Sequence, residues 1–274
     1  MKMRWKIALP MYNVSAAVQD GYERFAAALI ERLHTDGWRD EVEVMREAVH
    51  EAGELESFWL RPDLLLSQTC GYPYATALRG RTRLLATPCY DFPGCSEADY
   101  SSALVVRAAS GMHSLADARG GVAAVNDMQS NSGMNLLRHA VAPLAHKGKF
   151  FSGVKVSGSH ANSLLMLSKG EADIAAIDCV TLGYVAQGHP AWLRGLTVLH
   201  HSAATPGLPF ITSRAVPQDW SDRLRTALLE PDDATAAAMQ ALHIKRCAQC
   251  DDEDYARVLN LEQEARQACY AVLA

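Results

Sequence analysis

The chain has 274 residues, 49% hydrophobic and 21% charged, a globular balance that excludes a disordered polymer and suffices for one large core or two modest ones. The formal net charge of -5 excludes an extended nucleic-acid footprint, because binding backbone phosphates needs clustered Lys and Arg and the sequence has no such cluster. An anion taken up by this chain is expected to be held by local donors and helix ends, since the field of the whole protein would not attract it.

Met1 to Pro10 has a basic start but no apolar run of signal-peptide length. No segment approaches the roughly 20 apolar residues of a membrane-spanning helix. The expectation is a protein that is not membrane-embedded, periplasmic if a leader has been removed and otherwise cytoplasmic. Lys6 to Pro10 reads as a short strand. From Ala17 to Leu33, Tyr22, Phe25, Ala26, Leu29, Ile30 and Leu33 recur at helical spacing. Val42 to Met45 alternates as a strand, Glu51 to Leu60 reads as a helix, and Asp63 to Ser67 as a buried strand. Tyr72 follows that strand, at a carboxyl end where open α/β sheets bind ligands, and Tyr12 follows the first. Arg83 to Cys89 and Ser101 to Arg107 read as two further strands.

The β-α pattern restarts after Ser114-Leu115-Ala116-Asp117. Gly121 to Val125 is predicted as a strand, Ser132 to Ala145 as a helix, Lys155 to Ser157 as a strand and Ala161 to Lys169 as a helix. Ile174 to Ile177 is a short buried strand that ends on Asp178. Leu196 to His200 and Pro209 to Ser213 read as strands, and the remainder as helices over Ser221 to Leu229, Ala234 to Leu242 and Asp254 to Val272. Alternating units of this kind predict an α/β protein of two lobes, each a mainly parallel sheet flanked by helices, joined by two crossing strands. Residues 1–106 and 205–274 make the first lobe and 107–204 the second, with a ligand cleft expected between them.

Asn126-Asp127-Met128-Gln129-Ser130-Asn131-Ser132-Gly133 joins a strand to an apolar-periodic helix. Serine and asparagine there suit capping, and the exposed amides and dipole of a helix start suit phosphate, phosphonate, sulfate or carboxylate. Taken alone, an ordinary cap fits the residues as well as an anion site. Ser157-Gly158-Ser159-His160-Ala161-Asn162 repeats the arrangement, so that two helix starts can converge on one ligand with Ser159 and His160 in the second. Asp178 is either another N-cap or the partner of a ligand cation. The sequence has no nucleophile elbow, Gly-rich nucleotide loop or metal motif, and a Ser159-His160-Asp178 triad is a weak construction because adjacent Ser and His rarely aim at each other. No metal, cofactor or catalytic residue is therefore expected.

Seven cysteines form an odd set in a chain large enough to fold without disulfides. Cys247 and Cys250 read as surface residues between two C-terminal helices. In an oxidising compartment Cys247 with Cys250, or Cys89 with Cys95, has the spacing for a local disulfide.

The ordered set Ser114-Leu115-Ala116-Asp117, Asn126-Asp127, Ser130-Asn131-Ser132-Gly133, Ser157-Gly158-Ser159-His160, Gly170 to Ala175 and Ile177-Asp178 resembles the phosphonate-binding, PhnD-like periplasmic components of ABC transporters. The resemblance implies a type II periplasmic-binding-protein fold that closes on a small oxyanion, with an ABC transporter permease as partner. It implies Ser130, Asn131, Ser132 and His160 as anion ligands, Tyr12 and Tyr72 from the first lobe, and Asp178 for a ligand amine. Asn131 replaces a hydroxyl of the family pattern. The alternative is a cytoplasmic enzyme or sensor on the same scaffold, with His160, Asp178 or Cys179 as the reactive group on a small carboxylate or phosphate-bearing metabolite.

Overall fold

The computed structural model describes residues 4–46 and 52–274, with only the backbone of 52–54. Met1 to Met3, the basic start, and Glu51, the expected first residue of the second helix, lie outside the described residues. Contacts divide the chain into two compact units. The first comprises residues 1–91, 96–98 and 206–254, and the second 92–95, 99–205 and 255–274.

Strands β1 Trp5–Ala8, β2 Val42–Val44, β3 Leu64–Gln68 and β4 Thr82–Tyr90 open the first unit, with helices α1 Ala16–Thr35, α2 Ala52–Trp59 and the short α3 Gly71–Pro73. The two-residue strands β5 Cys95–Ser96 and β6 Asp99–Tyr100 follow at the first boundary between the units. The second unit then adds β7 Ser102–Arg107, β8 Val122–Val125, β9 Gly153–Val156, β10 Ile174–Asp178 and β11 Leu196–His201, with α4 Leu136–Val141, α5 His160–Ser168 and α6 Cys179–Gly188. β12 Thr205–Pro206 marks the return, and β13 Phe210–Ser213, α7 Gln218–Leu229, α8 Asp233–Ala241, β14 Ile244–Ala248 and α9 Asp252–Gln267 complete the chain.

The sheet of the first unit runs β14-β4-β13-β3-β1-β2, with β1 parallel to β2 and β3, and β13 and β14 antiparallel to their neighbours. All five residues of β3 are buried. Its two polar members are bonded there: Ser67 Oγ donates to the Ala8 carbonyl at 2.7 Å and Gln68 Nε2 to the Leu208 carbonyl at 3.0 Å, which removes the cost of burying them. Helix α1 starts where Ser15 Oγ accepts from Val18 N at 3.3 Å. It buries Tyr22, Phe25, Ala26, Leu29 and Leu33 of the expected helical stripe, with Ile30 half-buried. Each fully buried large apolar side chain contributes about 1.5–3 kcal/mol relative to exposure.

β14 is a strand where the sequence predicts only helices. It pairs antiparallel with β4, and Ile244 and Cys247 are buried. Cys247 is thus a buried edge-strand residue and not a surface one. The segment is five residues long, too short for its pattern to stand out between two helices, and pairing with β4 decides its conformation.

The sheet of the second unit runs β11-β7-β10-β8-β9. β9, β8 and β10 are parallel neighbours, so their carboxyl ends lie side by side at one edge of the unit. β7 runs antiparallel to β10, and β11 antiparallel to β7, so β7 alone is reversed in this sheet. The reading from sequence leaves all of residues 205–274 with the first lobe, whereas residues 255–274 cluster with the second unit. Specific bonds hold them there. The Ala274 carbonyl accepts from the amides of Phe150 and Phe151 at 2.8 and 3.0 Å, and Arg138 Nη1 donates to the Ala271 carbonyl at 3.0 Å. Arg257 grips Asp99 with both terminal nitrogens, at 2.7 and 2.6 Å.

Candidate functional site

The candidate site is built on the carboxyl ends of β9, β8 and β10. The loop after β8 leads into a helix that opens as a wide turn over Asn131–Asn135 and tightens to α4. Ser130 caps it: its Oγ accepts from Gly133 N at 2.9 Å. The loop after β9 leads into α5 with Ser159 as cap, its Oγ accepting from Asn162 N at 3.1 Å. β10 ends on Asp178, whose Oδ1 accepts from Val180 N and Thr181 N at 2.8 and 3.1 Å and so starts α6. Three adjacent strands thus deliver three capped helix starts, each carrying the partial positive charge of its first amides.

The first two loops are tied together. Ser157 N donates to the Val125 carbonyl at 2.8 Å and Gly158 N to that of Asn126 at 3.0 Å, extending the β8–β9 pairing beyond the sheet. In consequence Ser132 Oγ lies 2.9 Å from His160 Nε2 and 3.3 Å from Ser130 Oγ. Ser130, Ser132 and His160 therefore form one hydrogen-bonded row across two helix starts. Ser130 and Ser132 are buried, and His160 is part-exposed with its Nδ1 enclosed. Burial pushes the His160 imidazole down to about 4, against a weaker opposing pull from the Ala176 backbone. The ring is neutral at pH 7, and adding negative charge beside it restores its affinity for a proton.

Gly133 is required by this packing, since a Cβ there would fall 1.8 Å from Asn126 Oδ1. That oxygen is itself enclosed and makes no hydrogen bond within the protein. Asn126, the first residue of the motif that the sequence singles out, thus packs against the candidate site, although it is not among the expected ligands.

Asn131 is fully buried and its side chain is occupied. Nδ2 donates to Thr205 Oγ1 at 2.9 Å and to Tyr100 OH at 3.2 Å, while Oδ1 accepts from Asn135 Nδ2 at 2.9 Å. Asn135 also donates to the Val258 carbonyl at 3.0 Å and accepts from Arg138 Nη2 at 2.6 Å. The amide at this position therefore anchors the helix start within its own unit. No sequence pattern shows it, because its partners Tyr100 and Thr205 are distant along the chain.

In the first unit Tyr12 is buried, its ring edge-on to Tyr90 at 5.4 Å. Tyr72 is part-exposed and follows β3 by four residues. Ser159, His160 and Asp178 have separate duties: Ser159 caps α5, His160 meets Ser132, and Asp178 caps α6. Among the described residues no group of His, Cys, Asp and Glu is arranged to hold a metal ion, and no helix is long and apolar enough to cross a membrane.

Among curated proteins no relative matches the sequence. The fold is that of solved type II periplasmic binding proteins. The structure of PhnD1 from Prochlorococcus marinus in complex with methylphosphonate superposes with a TM-score of 0.80 at 14% identity, over 97% of this chain and 100% of that one. A binding protein component of an ABC phosphonate transporter from Pseudomonas aeruginosa gives 0.78 at 15% identity, over 98% of this chain and 88% of that one. The alkanesulfonate-binding protein SsuA from Xanthomonas axonopodis pv. citri, bound to MOPS, gives 0.62 at 16% identity, over 99% and 96%. The model of the family described as ABC transporter, phosphonate, periplasmic substrate-binding protein matches residues 8–255. With that match over most of its length, the chain belongs to the periplasmic substrate-binding proteins of phosphonate ABC transporters.

Proposed function

We propose that this solute-binding protein takes a small tetrahedral oxyanion, a phosphonate, phosphate or related compound, at the paired helix starts after β8 and β9. The supporting observation is the row Ser130 Oγ, Ser132 Oγ and His160 Nε2, two hydroxyls and a ring nitrogen linked at 3.3 and 2.9 Å where two sets of helix amides begin. Ser159 lies at the second start. Asn131 contributes through its backbone, its side chain being engaged elsewhere. In this reading Tyr12 and Tyr72 of the first unit close over the ligand, and Asp178 receives an amine if the ligand has one. Closure follows from tighter binding to the closed state. The chain binds without turnover and hands its ligand to an ABC transporter permease on the periplasmic side of the membrane.

The test is thermal denaturation with a panel of methylphosphonate, 2-aminoethylphosphonate, phosphate, sulfate and a short alkylsulfonate. A ligand present at 100 times its dissociation constant adds about 2.7 kcal/mol of stability and a clear rise in Tm. Ser132→Ala is expected to reduce that rise by at least half while leaving the unliganded Tm within a few degrees. A panel with no shift, or a shift untouched in Ser132→Ala, rejects the assignment. Release of product from any panel compound rejects the binding-only reading.

A further inference from the structure

Apart from the oxyanion site, the second unit contains two thiols in contact. Cys95 Sγ lies 3.3 Å from Cys179 Sγ, across 84 residues of sequence. Cys179 is buried at the first position of α6, and Cys95 is part-exposed. The segment that carries Cys95 is pressed onto one face of α6 by further contacts. The Phe92 ring meets Tyr184 edge-on at 5.0 Å, and a Cβ on Gly183 would come within 2.3 Å of it. Gly94 sits at φ +96°, in the left-handed region, and a Cβ there would lie 2.9 Å from Cys179 Cβ and 3.0 Å from Ser101 Oγ. Residues 179 and 183 are about one turn apart and lie on one face of α6. Backbone bonds complete the attachment, Cys179 N to the Ser101 carbonyl at 3.2 Å and Ser101 N to that of Gly94 at 3.0 Å.

We propose that Cys95 and Cys179 form a reversible disulfide that staples residues 92–95 to the start of α6. The sulfurs need an approach of little more than 1 Å to reach the bonded separation of about 2 Å. The oxidant is an external disulfide, either that of a small thiol such as oxidised glutathione or that of a dithiol oxidoreductase. The thiolate of part-exposed Cys95 attacks one of its sulfurs, expels a thiolate and becomes a mixed disulfide. Cys179 then gives up its proton, attacks the Cys95 sulfur and expels the second thiolate. The two cysteines lose two protons and two electrons, and the external disulfide becomes two thiols. The hydrogen bond with Cys95, burial and the neighbouring Asp178 carboxylate hold the Cys179 thiol above the ordinary range.

To test this, the full chain is equilibrated in glutathione buffers from fully reducing to fully oxidising, alkylated under denaturing conditions and digested without reduction. The expected result at the oxidising end is a peptide pair linked through Cys95 and Cys179, with five of the seven cysteines alkylated. Tm is expected to rise by roughly 5 °C or more, a rise that dithiothreitol reverses and that Cys95→Ser lacks. Cys95→Ser alters the part-exposed member, so the comparison stands even if Cys179→Ser fails to fold. Seven alkylated cysteines at the oxidising end, or a link from either thiol to Cys70, Cys89, Cys247, Cys250 or Cys269, overturns the pair. A Cys95–Cys179 link that leaves Tm unchanged overturns its role as a staple.

Discussion

His160 combines a buried ring nitrogen with a neighbour that is a serine and not a carboxylate, and burial decides its titration. Its value of about 4 in the folded chain lies below the 6.5 of the unfolded one. Between these values the unfolded state binds more protons, so stability is complete above pH 6.5 and falls as the pH drops towards 4. The slope is at most about 1.4 kcal/mol per pH unit. Denaturant titrations from pH 7.5 to 4.5 are expected to show this fall, flattened over pH 4.5–6.5 in His160→Gln. An equal slope in the variant assigns the titration to another group. The histidine itself was legible in the sequence as a ligand candidate from its place after a Gly-Ser step. Its neutrality was not, because that depends on what encloses the ring.

At the scale of elements, the proposed anion cradle is a consequence of parallel strand order. β9, β8 and β10 point the same way, so capping residues up to 48 positions apart, Ser130 and Asp178, reach one edge of the sheet. Repeated serine caps were readable from local sequence, since capping is a local bond from a short side chain to a nearby amide. The opening turn at Asn131–Asn135 was not, because its width depends on the Asn131 anchors to Tyr100 and Thr205. Gly133→Ala tests the close approach at this turn. The added methyl collides with Asn126 Oδ1, and overpacking of this kind costs about 1–3 kcal/mol. Adding Asn126→Ala is expected to recover most of the loss, measured as a coupling in urea denaturation of the single and double variants. If the double variant is as unstable as the sum of the two, the Asn126 contact does not account for the requirement for glycine.

For the molecule as a whole, the chain termini of the units are set by long-range partners. Tyr270 and Leu273 are buried, and the Ala274 carbonyl closes bonds to Phe150 N and Phe151 N. Removing residues 268–274 is expected to destabilise the second unit by roughly 3 kcal/mol or more, given the cost of emptying large buried apolar sites. Hydrogen exchange is expected to quicken at Gly120, Phe150 and Phe151, with β1 and β3 of the first unit protected as before. Uniform loss of protection across both units contradicts that division.

The sequence alone determined the order of the main strands and helices apart from β14, the apolar stripe of α1, the buried run of β3, and the Ser130, Ser159 and Asp178 caps. These are carried by periodicity and by bonds that span two or three residues, so a single stretch contains the whole cause. It also pointed to the family through motifs kept in order along the chain. Only the tertiary structure decided that Asn131 anchors its helix through Tyr100, Thr205 and Asn135, that β14 is a strand, that residues 255–274 join the second unit, and that Cys95 meets Cys179. In each of these the partner lies at least one element away along the chain, or the deciding neighbour is a strand edge, and such a choice becomes visible only when packing has brought the partners together.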